Sequence, residues 1–342
     1  MEIINNTPMQ TGYTLSPVPD GRDLLVIITK GTFMIPDEQK PSELAAAQLP
    51  LFETDIYPGE PGLSAPAYEY DFSPFKRYCD VLLHGSAYAP GGRPTSRVEV
   101  SLRLGSLQKS FAVIGDRCWE SGNFTTQPGC PVIFEQMSLS YDRAFGGIDD
   151  FHSNRNKHTT FMKNPAGKGY HLQLKKSFID GAPMPNTEQL RDPVKMPNGD
   201  YMPMSLGPVS RSWTPRLQLA GTYDQAWVKN QYPTPPKDFN TAYFQAAPLD
   251  QQIPYPQGGE SVYLKNLTPE GETGFVLPAI DLPVTFINRQ SHHIEKQAVI
   301  DTIVLQPDDR LFTITWRTYL PINETILEVP QVLIGSNSTS HY

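Results

Sequence analysis

The stretch DVLLHGSAYAPGGRPTSRVEVSLRLGSLQKSFAVIGDRCW, residues 80–119, and its continuation SLSYDRAFGG, residues 138–147, decide the fold. Val98, Val100, Leu102 and Leu104 alternate with Arg97, Glu99, Ser101 and Arg103. A period of two over that length specifies a strand with one apolar and one polar face. Gly105-Ser106 interrupts the pattern, and Phe111, Val113 and Ile114 resume an apolar run, so the two halves read as a hairpin. Asp80 to Tyr88 is expected to add a third strand, joined through the turn residues Ala89-Pro90-Gly91-Gly92. A meander with one bare apolar face has to pack against something else in the chain.

Working outward, 342 residues suffice for one large β domain or two lobes, with chain enough for a core. Charged residues make up 19% and the apolar set 39%, a balance that excludes a disordered chain. The 34 prolines are spread along the sequence, which predicts many ordered turns and excludes long helices. A net charge of −8 without a basic run makes nucleic acid and anionic membrane poor partners. The first ten residues, MEIINNTPMQ, show neither the charged nor the apolar part of a signal peptide, and no apolar run is long enough to span a membrane. Three cysteines, Cys79, Cys118 and Cys130, are too few and too odd for a disulfide scaffold and fit a reducing cytoplasm.

In chain order, Leu24 to Phe33 reads as a β-branched strand, and SELAAA from Ser42 as a short capped helix. Residues 50–74 read as an extended Pro- and Tyr-rich connection. From Glu120 to Gly221 regularity fades, which predicts either short hidden strands or a segment that wraps the sheet. Thr222-Tyr223-Asp224-Gln225 resembles a capping box for a helix of two or three turns, with Trp227 expected to pin it to the sheet. Strands are expected at 261–267, 274–277, 282–287, 300–305 and 311–317, with a turn at Pro307-Asp308-Asp309 and a polar turn around His292-His293. The fold class is therefore mainly β: antiparallel sheets in a sandwich-like body, with long ordered Pro/Gly-rich loops and two or three short helices. The chain reads as one domain with two β lobes as an option, at 20–150 and 261–335, the irregular segment 151–260 lying between them.

The chemistry-bearing motifs are weak. NPAGKGY, residues 164–170, lacks two requirements of a phosphate loop, since Met162 stands where a glycine is needed and Gly169 where Ser or Thr is needed. His152 and His158 beside Asp149 and Asp150 do not have a metal-ligand spacing. Asp116-Arg117 and Asp142-Arg143 stand beside Trp119 and Phe145, and an Asp next to a guanidinium is a poor base at neutral pH. Those pairs read as charge-assisted locks on glycine-rich corners. No catalytic, cofactor or metal residues are assigned.

The phrases DVLLHGSAYAPGG, SLRLGS, VIGDRCW, SLSYDRAFGG, NPAGKGY, PMPNTE, GPVSRSWTPR, AGTYDQAW, PPKDFN, FQAAPLDQQ, GGESVYLKNLTPEG and the pair Trp316-Arg317, in that order, resemble one bacterial family. It is a family of adaptor proteins, long catalogued as a domain of unknown function, encoded beside type VI secretion spike and effector genes. The resemblance spans roughly residues 20–320. It implies a non-catalytic cytoplasmic chaperone or adaptor, whose partners are a PAAR-domain or Rhs-type effector and the VgrG spike, with no cofactor. It places the motif residues Gly91, Gly92, Asp116, Arg117, Trp119, Asp142, Arg143, Gly146, Gly147, Trp213, Arg216, Tyr223, Asp224 and Trp227 in structural roles. An adaptor needs preformed aromatic anchors; the candidates are Tyr57, Tyr68 and Tyr70 in one Pro-rich segment and Phe239, Tyr243 and Phe244 in another. An unpaired strand edge is a second candidate mode of docking. The alternatives are an enzyme of unrecognised type, carbohydrate being one substrate class, and a structural part of the spike.

Overall fold

Three sheets carry most of the regular structure of the computed structural model, which describes the chain except residues 18–20, 38–40, 123–124, 215, 324 and 336–342. Their strands are β1 (Glu2–Asn5), β2 (Gln10–Pro17), β3 (Asp23–Met34), β4 (Cys79–Leu83), β5 (Arg97–Leu104), β6 (Leu107–Ile114), β7 (Thr187–Glu188) and β8 (Gln252–Ile253). They continue with β9 (Ser261–Lys265), β10 (Glu272–Val276), β11 (Pro283–Ile287), β12 (His293–Gln297), β13 (Val299–Gln306), β14 (Leu311–Ile322) and β15 (Gln331–Ile334). A six-stranded sheet runs β8-β4-β13-β14-β3-β2, a five-stranded sheet β7-β6-β5-β9-β10, and a four-stranded sheet β1-β15-β11-β12. Most pairs are antiparallel, while β4–β13 and β1–β15 are parallel. The six-stranded sheet thus takes strands from both ends of the chain.

The alternation at 97–104 is realised as expected. Val98, Val100, Leu102 and Leu104 are buried, Arg97, Glu99 and Arg103 are exposed, and Ser101 is buried but its hydroxyl accepts from that of Ser110. Gly105-Ser106 makes a two-residue hairpin turn between Leu104 and Leu107, and Gly105 takes φ +55°, where a side chain is disfavoured. The apolar face meets one large core to which all three sheets contribute: Leu25 and Ile27 of β3, Val81 and Leu83 of β4, Phe286 of β11, Ile303 of β13 and Phe312 of β14 among others. Phe312 joins the layers, with its ring 5.3 Å from Phe33 in its own sheet and 5.1 Å from Phe275 of the five-stranded sheet. Burial of one such side chain contributes about 2–3 kcal/mol.

Residues 119–201, which looked irregular, hold a second small core of Trp119, Phe145, Phe161, Ile179, Met184 and Val194. Very short strand pairs brace it: Trp119–Ser121 with Thr126–Pro128, Phe145–Gly146 with Lys168–Gly169, and Ile148–Asp149 with Thr159–Thr160. Among the described residues there are two short α-helices, α1 (Lys176–Ile179) and α2 (Gln225–Asn230), beside several single-turn 3-10 helices. No helix among the described residues is long and apolar enough to cross a membrane.

Four local expectations need correction. Residues 42–47 are not helical; Leu44 bridges to Phe33 and Ala45 N–H donates to Thr32 O, so the segment runs along the sheet edge. Asp80 to Tyr88 is not one strand. It breaks at His84 into β4 of the six-stranded sheet and a separate strand, Gly85–Tyr88, which pairs with Gln136–Leu139. The turn near the paired histidines lies one step earlier, at Asn288–His292, and His293 already opens β12. Finally, α2 has six residues and is capped by Asp224, whose carboxylate accepts from Trp227 N–H at 2.8 Å; Thr222 instead bonds Asp238.

Candidate functional site

Alternation also fixes what the second face of the six-stranded sheet presents. Where Phe312, Ile314 and Trp316 of β14 point into the core, Thr313, Thr315 and Arg317 point away, as do Lys30 of β3 and Asp80 of β4. Those polar groups are nevertheless buried, because residues 50–76 and parts of 205–214 and 243–255 lie over them. Burying a charge is costly unless it is paired and hydrogen-bonded, and here each is. Lys30 donates to Asp71 at 2.8 Å and to Pro50 O. Lys76 donates to Asp80 at 2.7 Å and to Thr302 at 2.9 Å. Burial alone would lower the Lys76 pKa, but the carboxylates of Asp80, Glu69 and Asp301 together outweigh it and hold the ammonium above its ordinary value. Asp80 also accepts from the Gln245 amide at 2.7 Å and from Ala246 N–H at 2.8 Å.

Arg317 pairs with Asp301, the residue inserted where β13 bulges between Ile300 and Thr302. Its Nη1 donates to Asp71 O and Ser73 O at 2.8 and 2.7 Å. Further out, Glu69 accepts from both Arg211 and Arg216, and Arg216 also donates to Tyr243 O and Val209 O. This ionic layer staples two sequence-distant covering segments onto one sheet face. It commits the buried carboxylates to structure.

The residues expected to anchor a partner fall mostly inside this cover. Tyr68 donates to Gln306 Oε1 at 2.9 Å, and its ring packs 5.0 Å from Phe52 and His84. Burial, with Asp309 adding to it, pushes the Tyr68 pKa up to about 12. Tyr70 donates to Phe72 O and lies under the Arg211 guanidinium. Phe239, Tyr243 and Phe244 form a half-buried aromatic group whose Phe244 ring meets Phe75 at 5.8 Å. Tyr57 is half-buried.

The corner residues are brought together, but with exchanged partners. Arg117 pairs with Glu188 at 2.8 Å, and Arg143 approaches Asp116 at 3.7 Å and donates to Asn186 Oδ1 at 3.2 Å. Asp142 accepts from Ala65 N–H, and Trp119 Nε1 donates to Gly169 O, both at 2.9 Å. Gly146 takes φ +153°, and a Cβ there would meet Asn164 O at 2.1 Å, so that corner admits only glycine. Gly147, at φ +111°, adjoins it. Gly91 and Gly92 form the left-handed turn after the Gly85–Tyr88 strand, and Trp213 packs edge-on to Tyr141 at 5.7 Å.

The most exposed aromatic group among the described residues was not among the sequence candidates for an interface. Tyr223, Val228 and Tyr232 are 55%, 53% and 70% exposed around α2. Trp227 lies between the two tyrosines, 4.7 Å from one and 5.7 Å from the other, and its Nε1 donates to Thr234 O at 2.9 Å. Trp227 therefore pins its own loop and not the helix to the sheet. The signal present in the sequence is a set of aromatics around one capped turn: Tyr223 stands just before the Asp224 cap, Trp227 lies in the turn after it, and Tyr232 follows the helix. The knob is held by bonds yet displays apolar surface, the combination a protein-binding anchor requires.

A model of a bacterial protein family, described as "Uncharacterized protein conserved in bacteria (DUF2169)", matches residues 20–317, and the chain belongs to that family. No curated protein and no solved structure matches it.

Proposed function

We propose that this family member is a non-catalytic adaptor that binds a type VI secretion effector of the PAAR or Rhs kind in the bacterial cytoplasm and helps seat it on the VgrG spike. The run of ordered phrases from DVLLHGSAYAPGG to Trp316-Arg317 supports the family role. The observation that carries the reading on the molecule is the braced aromatic knob of Tyr223, Trp227 and Tyr232, displayed from a cover stapled down by buried ion pairs. Anchors fixed before binding lose little entropy on docking. A stable partner interface buries on the order of 1,200 Å² or more, so the knob would be the centre of a larger contact.

The test is capture of the effector encoded beside this gene. The tagged full chain is expected to co-purify with that effector from cells, and deletion of the gene to stop secretion of the effector while its synthesis continues. Absence of any complex, together with normal secretion in the deletion strain, overturns the reading.

A further inference from the structure

β14 pairs with β3 along its whole length, from Leu311 opposite Met34 to Ile322 opposite Asp23. On its other side it pairs with β13 only as far as Arg317 opposite Val299. There the chain belongs to two sheets at once, since Val299 begins β13 while Gln297, two residues before it, ends β12 of the four-stranded sheet. The next strand over, β4, begins at Cys79, opposite β8 and β13. Residues Thr318–Ile322 of β14 therefore present a strand edge with no strand partner among the described residues. A cleft of about 630 Å³ lies beside this edge and receives the side chains of Phe75, Arg77, Tyr255, Lys296 and Tyr319.

The wall of the cleft has a definite charge. Four cations, Lys76, Arg77, Lys296 and Arg317, face one carboxylate, Asp301. Lys76 is taken by Asp80 and Arg317 by Asp301. Arg77 and Lys296 have no carboxylate within ion-pair distance among the described residues, and the Lys296 ammonium sits 5.3 Å over the Tyr319 ring at the mouth. The Phe75 ring, 5.9 Å from Tyr319, supplies apolar wall. A cationic cleft in a chain of net charge −8 is complementary to an anionic occupant. An open strand edge is complementary to extended backbone.

We propose that this cleft accepts an extended acidic segment of a partner protein as an added strand on β14, the segment's carboxylates meeting Arg77 and Lys296. Pro321 has no N–H to give, so the added strand is short and centred on Tyr319. A strand of four or five residues covers roughly 14–17 Å, and the aromatic wall receives its alternate side chains. The proposal deepens the adaptor reading and rests on it for the source of the segment, which is the effector.

The experiment uses the full chain and two synthetic seven-residue peptides, one alternating Val with Glu and the other Val with Lys, with effector capture run in parallel. The Val/Glu peptide is expected to bind at least tenfold more tightly than the Val/Lys peptide and to slow amide exchange in residues 318–320. The double variant Arg77→Glu, Lys296→Glu is expected to lose at least tenfold of that affinity at an unchanged melting temperature. Equal binding of the two peptides, or binding indifferent to the charge reversal, overturns the cleft. A chain that dimerises through this edge, with residues 318–320 already protected before peptide is added, also overturns it in favour of a second copy as occupant. Effector captured equally by wild type and double variant removes the cleft and leaves the adaptor reading standing. Peptide discrimination without effector capture does the reverse.

Discussion

Arg317 of β14 and Asp301 in the bulge of β13 form an ion pair in which the side chains are 3% and 1% exposed. Removing one partner of such a pair strands a charge in the interior. Arg317→Met is expected to cost about 3–5 kcal/mol, read as a lower urea midpoint with an unchanged slope. Adding Asp301→Ala should recover part of that loss by removing the orphaned carboxylate. The recovery stays incomplete, because Asp71 O and Ser73 O also lose their donor. If the double variant is no more stable than the single, the pair is not the element that holds the cover.

That pair also shows where the sequence stops being legible. The alternation Phe312-Ile314-Trp316 announces an apolar face, and the face is where it was expected. Thr313, Thr315 and Arg317 look equally like a solvated face, yet all three are buried. What covers them arrives from residues 50–76 and 243–255, far away in sequence, and no local period encodes that approach. The hairpin at 97–114 was legible because turn and pattern are both local. The core beneath 119–201 was not, since strands of two or three residues carry no period. The knob at Tyr223 and Tyr232 was half legible: its cap and its aromatics could be read, but not that Trp227 turns back on its own loop.

Phe312 tests the joint between the layers. Its ring contacts Phe33 within the six-stranded sheet and Phe275 across in the five-stranded one. Phe312→Ala is expected to cost about 3–5 kcal/mol by loss of contact and by the cavity it leaves. Phe312→Leu should cost clearly less. Calorimetry on both variants gives the comparison, and equal losses would mean that the joint is not packed as described.

Tyr68 separates a fold role from a docking role. Its hydroxyl donates to Gln306 Oε1, so Tyr68→Phe leaves a buried residue's acceptor without that donor. A loss of about 1–2 kcal/mol is expected, with effector capture unchanged. Loss of capture at full stability would return Tyr68 to the interface.

His171 supplies a pH dependence. Burial lowers its pKa from the ordinary 6.5, while Asp149, 4.0 Å away, and Asp150 pull the other way without restoring it. The folded chain therefore binds this proton more weakly than the unfolded chain does. Its contribution is constant above pH 6.5 and falls as pH drops through 6.5 towards the lowered value. His171→Gln is expected to remove that part of the slope, so the difference in melting temperature between wild type and variant should shrink on acidification. A difference that is flat between pH 7.5 and 5 would show that the imidazole is not held neutral.

The knob around α2 yields the sharpest division between stability and binding. Trp227 is the brace, in contact with both tyrosines and bonded to Thr234 O. Tyr223 and Tyr232 are the displayed surface. Tyr223→Ala with Tyr232→Ala removes apolar area that is largely in water already, so the melting temperature should change little. If the knob grips the effector, the same change should weaken capture by at least tenfold, because truncating a central aromatic anchor costs about 2 kcal/mol or more. Trp227→Ala should also weaken capture, but through disorder of residues 221–240, seen as faster amide exchange there before any partner is added. Full capture by the double tyrosine variant would remove the knob from the interface and move the search to the cleft beside β14.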